Sequence, residues 1–229
     1  LEGVRKIGDP NLMGKDYYSK GIDEIIYMDV VASLYERNTL NHFIKQSAEN
    51  IFVPITVGGG IRSLDDVRAV LNNGADKVAI NTQALKKPSF ISEVAETIGS
   101  QSIVVSIEAK KNSSSSWEAY YDNGRERSGE NAIIWAQKAE SLGAGEILIT
   151  SVDKEGVKKG IDLDLISNIR KTVNIPIIYS GGVGKLEHIF DALYFADAIA
   201  IASILHYNEY NIKDIKDFLT RNNIRLRQV

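Results

Sequence analysis

Residues 54–61 read Pro-Ile-Thr-Val-Gly-Gly-Gly-Ile, and residues 176–183, which lie 122 positions later, read Pro-Ile-Ile-Tyr-Ser-Gly-Gly-Val. Two further pairs of blocks repeat in the same order at nearly the same offset: residues 21–28 with 143–150, and residues 75–82 with 196–203. Solenoid repeats have periods of roughly 20–50 residues, so this longer period indicates two copies of a half-domain.

The chain between these blocks alternates between predicted strands and helices. Short β-branched runs that are apolar on both parities are typical of strands in a buried parallel sheet. They predict seven strands, at residues 24–29, 54–57, 77–81, 103–108, 146–151, 176–180 and 198–202. Amphipathic stretches predict helices at residues 63–73, 88–98, 129–142 and 163–172. The first of these helices begins with Ser63 as N-cap and has acids in its first turn, and the alternation as a whole means an α/β fold.

The two-fold repeat favours a closed barrel over an open sheet. Two half-barrels of four βα units each close naturally into a (β/α)8 TIM barrel. The second half contains four predicted strands and the first half three, so the counterpart of the strand at residues 103–108 would fall before residue 1. We therefore expect a first strand that this sequence lacks. The 229 residues are predicted to form one barrel domain, with half-barrels at approximately residues 1–102 and 103–229.

The composition restricts the class of function. The chain has a net charge of −3, so it lacks the excess of basic residues that is typical of a nucleic-acid-binding protein. No apolar run approaches the about 18 residues of a transmembrane helix. Cysteine is absent, which excludes disulfides and thiolate metal sites, and His42, His188 and His206 are too scattered for a zinc motif. We expect a cytoplasmic protein that acts on a small molecule, with no metal, cofactor, nucleic acid or membrane.

Residues 110–129 interrupt the alternation. The run from Ser113 to Ser116 is predicted to be a mobile loop, and Asn123-Gly124 between two β-prone runs predicts a hairpin turn. An excursion that follows a barrel strand lies on the catalytic face. The alternative is a tolerated surface insertion.

Residues at the carboxyl ends of barrel strands line the active site. Two sets of such residues are related by the repeat: Gly59, Gly60, Asn81 and Thr82, and Gly181, Gly182, Ala202 and Ser203. Glycine lets backbone N–H groups approach a phosphate closely, so these sets predict two phosphate clamps for a substrate with two phosphates. The alternative is that the glycines only serve tight turns. Further candidates for substrate contact are Thr150, Asp153, Glu155, Gly156 and Ser180.

Charged residues lie at both ends of the predicted strands. Glu108 and Asp29 directly follow apolar strands, so partial burial could adjust their pKa values for acid–base catalysis. We predict that Glu108 is catalytic and that Asp29 acts in catalysis or substrate positioning, against the alternative of a helix cap or a solvated acid. Glu24, Lys77 and Glu146 open strands at the barrel floor, where they form either a stability plug or a gate to a passage.

Five motifs together resemble the cyclase subunit of imidazole glycerol phosphate synthase, the HisF family. They are Met28-Asp29-Val-Val-Ala-Ser33, Thr56-Val-Gly-Gly-Gly-Ile61, residues 75–82, residues 143–151 and Ser180-Gly-Gly. The resemblance runs from Gly8 to the C-terminus. It implies a barrel of the lyase class in histidine biosynthesis, in which ammonia from a partner glutaminase attacks a bisphosphorylated ribotide. Cyclisation and cleavage then release imidazole glycerol phosphate and an aminoimidazole carboxamide ribotide.

The resemblance also implies roles for the candidate residues. Gly60, Asn81 and Thr82 match one phosphate site of the family, and Gly181, Gly182, Ala202 and Ser203 match the other. Glu24, Lys77 and Glu146 match a charged gate for ammonia, whose fourth member, an arginine, would lie in the absent strand. Asp76 matches a residue that faces the glutaminase, at the N-terminal face of the barrel.

The sequence departs from the family at its acids. The family's two catalytic aspartates lie at the ends of the first and fifth strands. The first position falls before residue 1, the second is Glu108, and the loop acid after the next strand is Glu155 rather than aspartate. A glutamate reaches about one methylene further, which indicates a different substrate geometry.

These departures and the hairpin leave other functions open. They resemble a paralogous branch that channels ammonia for amidino-sugar formation in surface-polysaccharide biosynthesis. Two further alternatives are a non-catalytic ammonia-delivery subunit and the sister isomerase barrel of histidine biosynthesis.

Overall fold

The computed structural model describes residues 7–29, 40–113 and 115–227. Its strands, in chain order, are β1 (Ile25–Met28), β2 (Ile55–Gly58), β3 (Lys77–Ile80), β4 (Ile103–Ser113), β5 (Ser116–Tyr121), β6 (Glu126–Asn131), β7 (Glu146–Ser151), β8 (Ile177–Ser180) and β9 (Ala198–Ala200). Its helices are α1 (Pro10–Ser19), α2 (Leu40–Ala48), α3 (Leu64–Asn72), α4 (Thr82–Lys86), α5 (Ser89–Ile98), α6 (Ala132–Ser141), α7 (Leu163–Arg170), α8 (Leu186–Ala192), α9 (Ser203–His206) and α10 (Ile212–Arg221).

Seven of the strands form the wall of a nearly closed barrel. They pair in the order β1-β2-β3-β4-β7-β8-β9, and every pair along this path is parallel. Helices alternate with the strands along the chain, as the predicted (β/α)8 barrel requires. The place expected for an eighth strand lies between β1 and β9, outside the described residues.

Successive side chains of each strand face opposite sides of the wall, because the period of a strand is two. One parity packs in a large cluster against the helices, with fully buried Ile55, Ile103 and Ile149 among its members. The other parity forms a separate small apolar ring inside the barrel, made of Ala79, Val104, Leu148 and Ile178 with Ile26 and Ala200 packed against them. The inside of the barrel is therefore apolar halfway along the strands.

The two sheet strands that do not belong to the wall form hairpins with β4 and with each other. β4 continues past residue 108 to Ser113, where Ser113 pairs with Ser116 of β5, and β5 pairs with β6 in turn. Ser113 and Ser116 therefore pair with each other at the ends of the two strands, where the sequence predicted a loop, and Ser114 lies outside the described residues. The predicted Asn-Gly hairpin turn is confirmed: Asp122, Asn123 and Gly124 all have positive φ angles.

The sequence repeat is also a repeat of local structure. Asp76 Oδ2 accepts a hydrogen bond of 2.8 Å from the backbone N–H of Ile55, and Asp197 Oδ2 accepts one of 2.8 Å from Ile177. Asn81 has φ −120° and ψ −80°, and its counterpart Ala202 has φ −122° and ψ −74°. Equivalent positions of the two halves thus share a strand hydrogen bond and a backbone conformation, although Asp197 also forms an ion pair with Arg170.

The helix α3 begins as predicted. Ser63 accepts a hydrogen bond of 3.2 Å from the N–H of Asp66, and Asp66 Oδ2 accepts one of 3.0 Å from the N–H of Ser63. This reciprocal capping box satisfies donors that the first turn leaves free. None of the described helices is both long and apolar enough to cross a membrane.

Candidate active site

The carboxyl ends of neighbouring strands bring several predicted residues to one level of the barrel. Glu108 of β4 is in register with Thr150 of β7, which is in register with Ser180 of β8. Ser180 is in turn aligned with Ala200, two residues before Ala202. The rim of the barrel therefore places Glu108 on the same side as the second set of clamp residues.

Glu108 lies under the tip of the β5–β6 hairpin. The backbone N–H of Gly124 donates a hydrogen bond of 2.8 Å to Glu108 Oε2. Burial raises the pKa of Glu108 to about 7; hydrogen bonds from Gly124 and Asn81 oppose the rise, and the negative charges of Asp122 and Glu155 add to it. A carboxyl group with a pKa near neutrality can both give and take a proton at physiological pH.

The hairpin tip also contacts the first set of clamp residues. Asn81 Nδ2 donates to the carbonyl oxygen of Tyr120 at 3.2 Å. Thr82 Oγ1 donates to Asp122 Oδ1 at 3.2 Å, and the N–H of Asp122 donates back to Thr82 Oγ1 at 3.3 Å. The hairpin therefore lies at the carboxyl ends of the barrel strands, on the face that the sequence predicts to be catalytic, and packs against the residues there.

The loop after β7 holds the base of the hairpin. Trp117 is buried, and its Nε1–H donates to Asp162 Oδ2 at 2.8 Å. Asp162 also caps α7 by accepting from the N–H of Leu165 at 3.1 Å. Asp153 accepts a hydrogen bond of 2.7 Å from the backbone N–H of Lys111. This contact gives Asp153 a structural role in docking the hairpin, beside the substrate contact that the sequence suggested.

The glycines of the two clamp sets sit where backbone segments approach closely. A Cβ atom on Gly59, whose φ is 100°, would lie 2.2 Å from the carbonyl oxygen of Asp29. A Cβ atom on Gly182, whose φ is 83°, would lie 2.2 Å from the carbonyl oxygen of Gly160. Both positions therefore require glycine for the turn itself. Asp29 adjoins this turn, because its N–H donates to the carbonyl oxygen of Gly58 at 2.9 Å.

The loop acid Glu155 lies beside the second set. Its Oε2 atom would be 3.5 Å from a Cβ atom on Gly181. The residue as a whole is exposed, but burial of its carboxyl group raises the pKa. The following Gly156 is exposed, and a Cβ atom there would meet nothing within 4 Å. In the part of the chain that the structure describes, no three His, Cys, Asp or Glu side chains are grouped so as to hold a metal ion.

The three charged residues at the barrel floor form one ion-pair network. Lys77 Nζ lies 2.7 Å from Glu146 Oε1 and 3.1 Å from Glu24 Oε2. Burial opposes the charge of Lys77, but the hydrogen bonds to Glu146 and Glu24 outweigh it, so its pKa is raised. Glu146 Oε2 is buried without a hydrogen-bond partner among the described residues. The three charged residues that the sequence places at strand starts therefore contact one another at the barrel floor.

Sequence reasoning missed the residues of the hairpin tip. The Asn-Gly signal located the turn, but nothing in the sequence singled out Tyr120, Asp122 or Gly124 as contacts of Asn81, Thr82 and Glu108. These contacts span 16 to 40 positions along the chain. The length of β4 and its pairing with β5 determine them.

The comparison with known proteins shows the family. The model of the family described as "Histidine biosynthesis protein" matches residues 2–211. The chain belongs to this family. It is 56% identical to "Imidazole glycerol phosphate synthase subunit HisF" of Legionella pneumophila over 187 residues. This alignment covers 82% of this chain and 88% of the relative.

Two further relatives with the same name match nearly the whole chain. The protein of Pyrococcus furiosus is 46% identical over 228 residues, which is 99% of this chain and 90% of the relative. The protein of Endomicrobium trichonymphae is 44% identical over 227 residues, which is 99% of this chain and 87% of the relative. The resemblance that the five sequence motifs indicated is therefore confirmed at the level of the family.

Proposed function

We propose that this chain is the cyclase subunit of an imidazole glycerol phosphate synthase, a cytoplasmic lyase that uses ammonia to close the imidazole ring of a bisphosphorylated ribotide. The observation that carries the proposal is Glu108, a carboxyl group with a pKa of about 7 on the rim where the clamp residues lie. The relatives named HisF support the same activity.

Glu108 is suited to the proton transfers that this reaction needs. Attack by ammonia on an electrophilic carbon leaves a proton on the new C–N nitrogen, and ring closure and bond cleavage require that proton to move. Glu108 takes a proton in its ionised form and returns it in its neutral form, and general acid–base catalysis of this kind contributes roughly 10²–10⁴-fold. The N–H of Gly124 fixes one carboxylate oxygen while this happens.

The two clamp sets would bind the phosphates at the ends of the ribotide. Gly60, with a φ of 71°, and Gly181, with a φ of 106°, provide backbone N–H groups in turns that bring the main chain to the rim. Thr82 and Ser203 add hydroxyl groups at equivalent positions of the two halves. Asp29, next to Gly59, is placed to position the substrate near the first set.

The proposed function is tested by adding the bisphosphorylated ribotide and an ammonium salt to the purified full-length protein, without a glutaminase. The cyclase releases imidazole glycerol phosphate under these conditions. A non-catalytic ammonia-delivery subunit converts nothing, and that result with well-folded protein would remove the proposal.

Ammonia would enter from a glutaminase at the N-terminal face and pass along the barrel axis. The network of Lys77, Glu24 and Glu146 lies at that entrance. Beyond it, the ring that includes Ala79, Val104 and Ala200 lines the passage. An apolar lining favours neutral ammonia over ammonium. The unpartnered Oε2 of Glu146 is an acceptor that a donor from outside the described residues would satisfy.

Replacing Lys77 with alanine is expected to uncouple the two activities of the complex. Removal of the lysine breaks both ion pairs and opens the entrance, so ammonia escapes before it reaches the rim. Glutamine hydrolysed per ribotide converted, measured in the complex, should rise several-fold above the one-to-one stoichiometry. Lys138→Ala, on the exposed side of α6, is the control and should leave the ratio unchanged. An unchanged ratio in Lys77→Ala would refute the gate.

Asp76 can be tested against its own counterpart in the repeat. Asp76→Ala and Asp197→Ala each remove an acceptor of a strand N–H, so each should destabilise the protein by roughly 1 kcal/mol in urea unfolding. Only Asp76→Ala should also reduce glutaminase activity in the complex, if this residue faces the partner. Equal effects of both variants on glutaminase activity would show that Asp76 acts only within the barrel.

A second function is favoured by one observation at the first clamp. The carboxylate of Asp122 is hydrogen-bonded to Thr82, where a phosphate would bind, and Glu108 and Glu155 replace the family's aspartates. This acidic rim fits the amidino-sugar branch, whose ammonia acceptor differs from the ribotide. Turnover of an amino-sugar acceptor in the ammonium assay, with none of the ribotide, would establish that branch.

A further inference from the structure

The tip of the β5–β6 hairpin, residues 120–124, occupies the first clamp. Three contacts hold it there: Asn81 Nδ2 donates to the carbonyl of Tyr120, Thr82 and Asp122 exchange two hydrogen bonds, and Gly124 donates to Glu108. The polar groups predicted to bind a phosphate, the amide of Asn81 and the hydroxyl of Thr82, are therefore already used by the chain itself.

The contact at Thr82 is electrostatically unfavourable for a phosphate. Asp122 Oδ1 lies 3.2 Å from Thr82 Oγ1, so a phosphate oxygen on the same hydroxyl would meet a carboxylate at close range. Two negative charges this close repel each other, and partial burial of the site strengthens the repulsion because it lowers the effective dielectric constant. Both cannot occupy the hydroxyl together.

We propose that Asp122 is a specificity-determining residue. Its hydrogen bonding with Thr82, called the latch below, closes the first clamp, and a substrate phosphate binds there only by displacing Asp122 from Thr82. This inference rests on the proposed function, since it takes Asn81 and Thr82 as a phosphate site. Asp122 competes with any anion for Thr82. A ligand that is also held by the second clamp, at Gly181 and Gly182, therefore displaces Asp122 more readily than free phosphate does.

The latch is mechanically linked to Glu108. Asp122 and Gly124 belong to one tight turn in which Asp122 has a φ of 49° and Gly124 a φ of 71°. A movement of Asp122 away from Thr82 therefore also shifts the N–H that Gly124 donates to Glu108. Binding at the first clamp and the hydrogen bonding of Glu108 change together.

The latch is tested by titrating inorganic phosphate into the ¹⁵N-labelled full-length protein and following the amide signals of Thr82, Gly124 and Gly182. In the wild type, the amide signals of Thr82 and Gly124 should shift at the same phosphate concentrations. Asp122→Asn should bind phosphate at Thr82 about tenfold more tightly, because the variant removes the repelling charge. Asparagine tolerates the positive φ of this position, so the turn is retained. Glu126→Gln, a change of the same charge at an exposed position of β6, is the control and should bind as the wild type does.

The results separate this inference from the proposed function. Equal phosphate affinity at Thr82 in the wild type and in Asp122→Asn overturns the latch, and so does a shift of Thr82 without one of Gly124. If phosphate shifts only the amide signal of Gly182 in both proteins, the first clamp and the latch are refuted and the second clamp is supported. An absence of any shift in either protein removes both clamps, and the ammonium assay then decides whether the proposed activity survives.

Discussion

Replacing Glu108 with glutamine is expected to reduce ammonia-dependent turnover by about 10³-fold, within the range for loss of a general acid–base group. Glutamine is nearly isosteric, and its carbonyl oxygen still accepts the hydrogen bond from Gly124, so the hairpin stays in place. What the variant loses is the exchangeable proton. The measurement is kcat/KM for the ribotide at a fixed concentration of free ammonia.

The pH dependence of the wild type provides the second part of this prediction. Because the pKa of Glu108 is about 7, kcat/KM should show an apparent pKa near neutrality that is absent from the residual activity of Glu108→Gln. Glu155→Gln is the matched control, since it removes a neighbouring acid from the same rim. A loss as large in Glu155→Gln, with the neutral titration gone, would move the catalytic role from Glu108 to Glu155.

The same pKa has a consequence for stability with a definite sign. The folded-state pKa of Glu108 lies above its ordinary value of 4.5, so the folded protein binds more protons than the unfolded chain between about pH 4.5 and 7. The free energy of unfolding therefore falls as pH rises through this window. Glu108→Gln removes this contribution, so it should be more stable than the wild type above neutrality, as is common for residues kept for function.

Replacing Trp117 with alanine is expected to lower the free energy of unfolding by about 3–5 kcal/mol, the usual cost of truncating a buried tryptophan. Trp117 is only 1% exposed, and it links β5 to Asp162 at the start of α7. The substitution leaves a cavity and an unpaired carboxylate oxygen. Urea denaturation measures the change.

The hydrogen bond to Asp162 can be separated from the packing of the ring. Trp117→Phe keeps most of the buried area but loses the N–H donor. Trp135 is equally buried, and its Nε1–H has no hydrogen-bond partner among the described residues, so Trp135→Phe changes the ring alone. Trp117→Phe should cost about 1–3 kcal/mol more than Trp135→Phe, the penalty for an unsatisfied buried group. Equal costs in the two variants would show that the Trp117–Asp162 hydrogen bond contributes nothing.

The wall of the barrel was predictable because its signals are local. Each strand is a short apolar run between Gly, Pro or Asp, and β7 has the predicted bounds of residues 146–151. The two-fold repeat then favoured a closed barrel over an open sheet as the arrangement of these strands. The contact of Lys77 with Glu24 and Glu146 followed as well, since residues that open neighbouring strands meet at one face.

The features that the sequence did not reveal depend on contacts between distant residues. The serine run looked like a loop because serine has little strand propensity, yet pairing with β5 extends β4 through Ser113. Asp153 was predicted to contact the substrate, and the sequence did not reveal that it also accepts a hydrogen bond from the backbone N–H of Lys111. The place of the hairpin tip over Glu108 likewise depends on the Trp117–Asp162 contact, across 45 positions of the chain.

The titration of Glu108 itself tests the central claim most directly, namely that the fold holds this carboxyl group near neutrality for proton transfer. In the full-length protein labelled with ¹³C at the glutamate side chains, the resonance of Glu108, assigned by its loss in Glu108→Gln, should titrate with a pKa of about 7. A value near the ordinary 4.5 would mean that Glu108 is fully ionised at neutral pH, and it would contradict the role proposed for this residue.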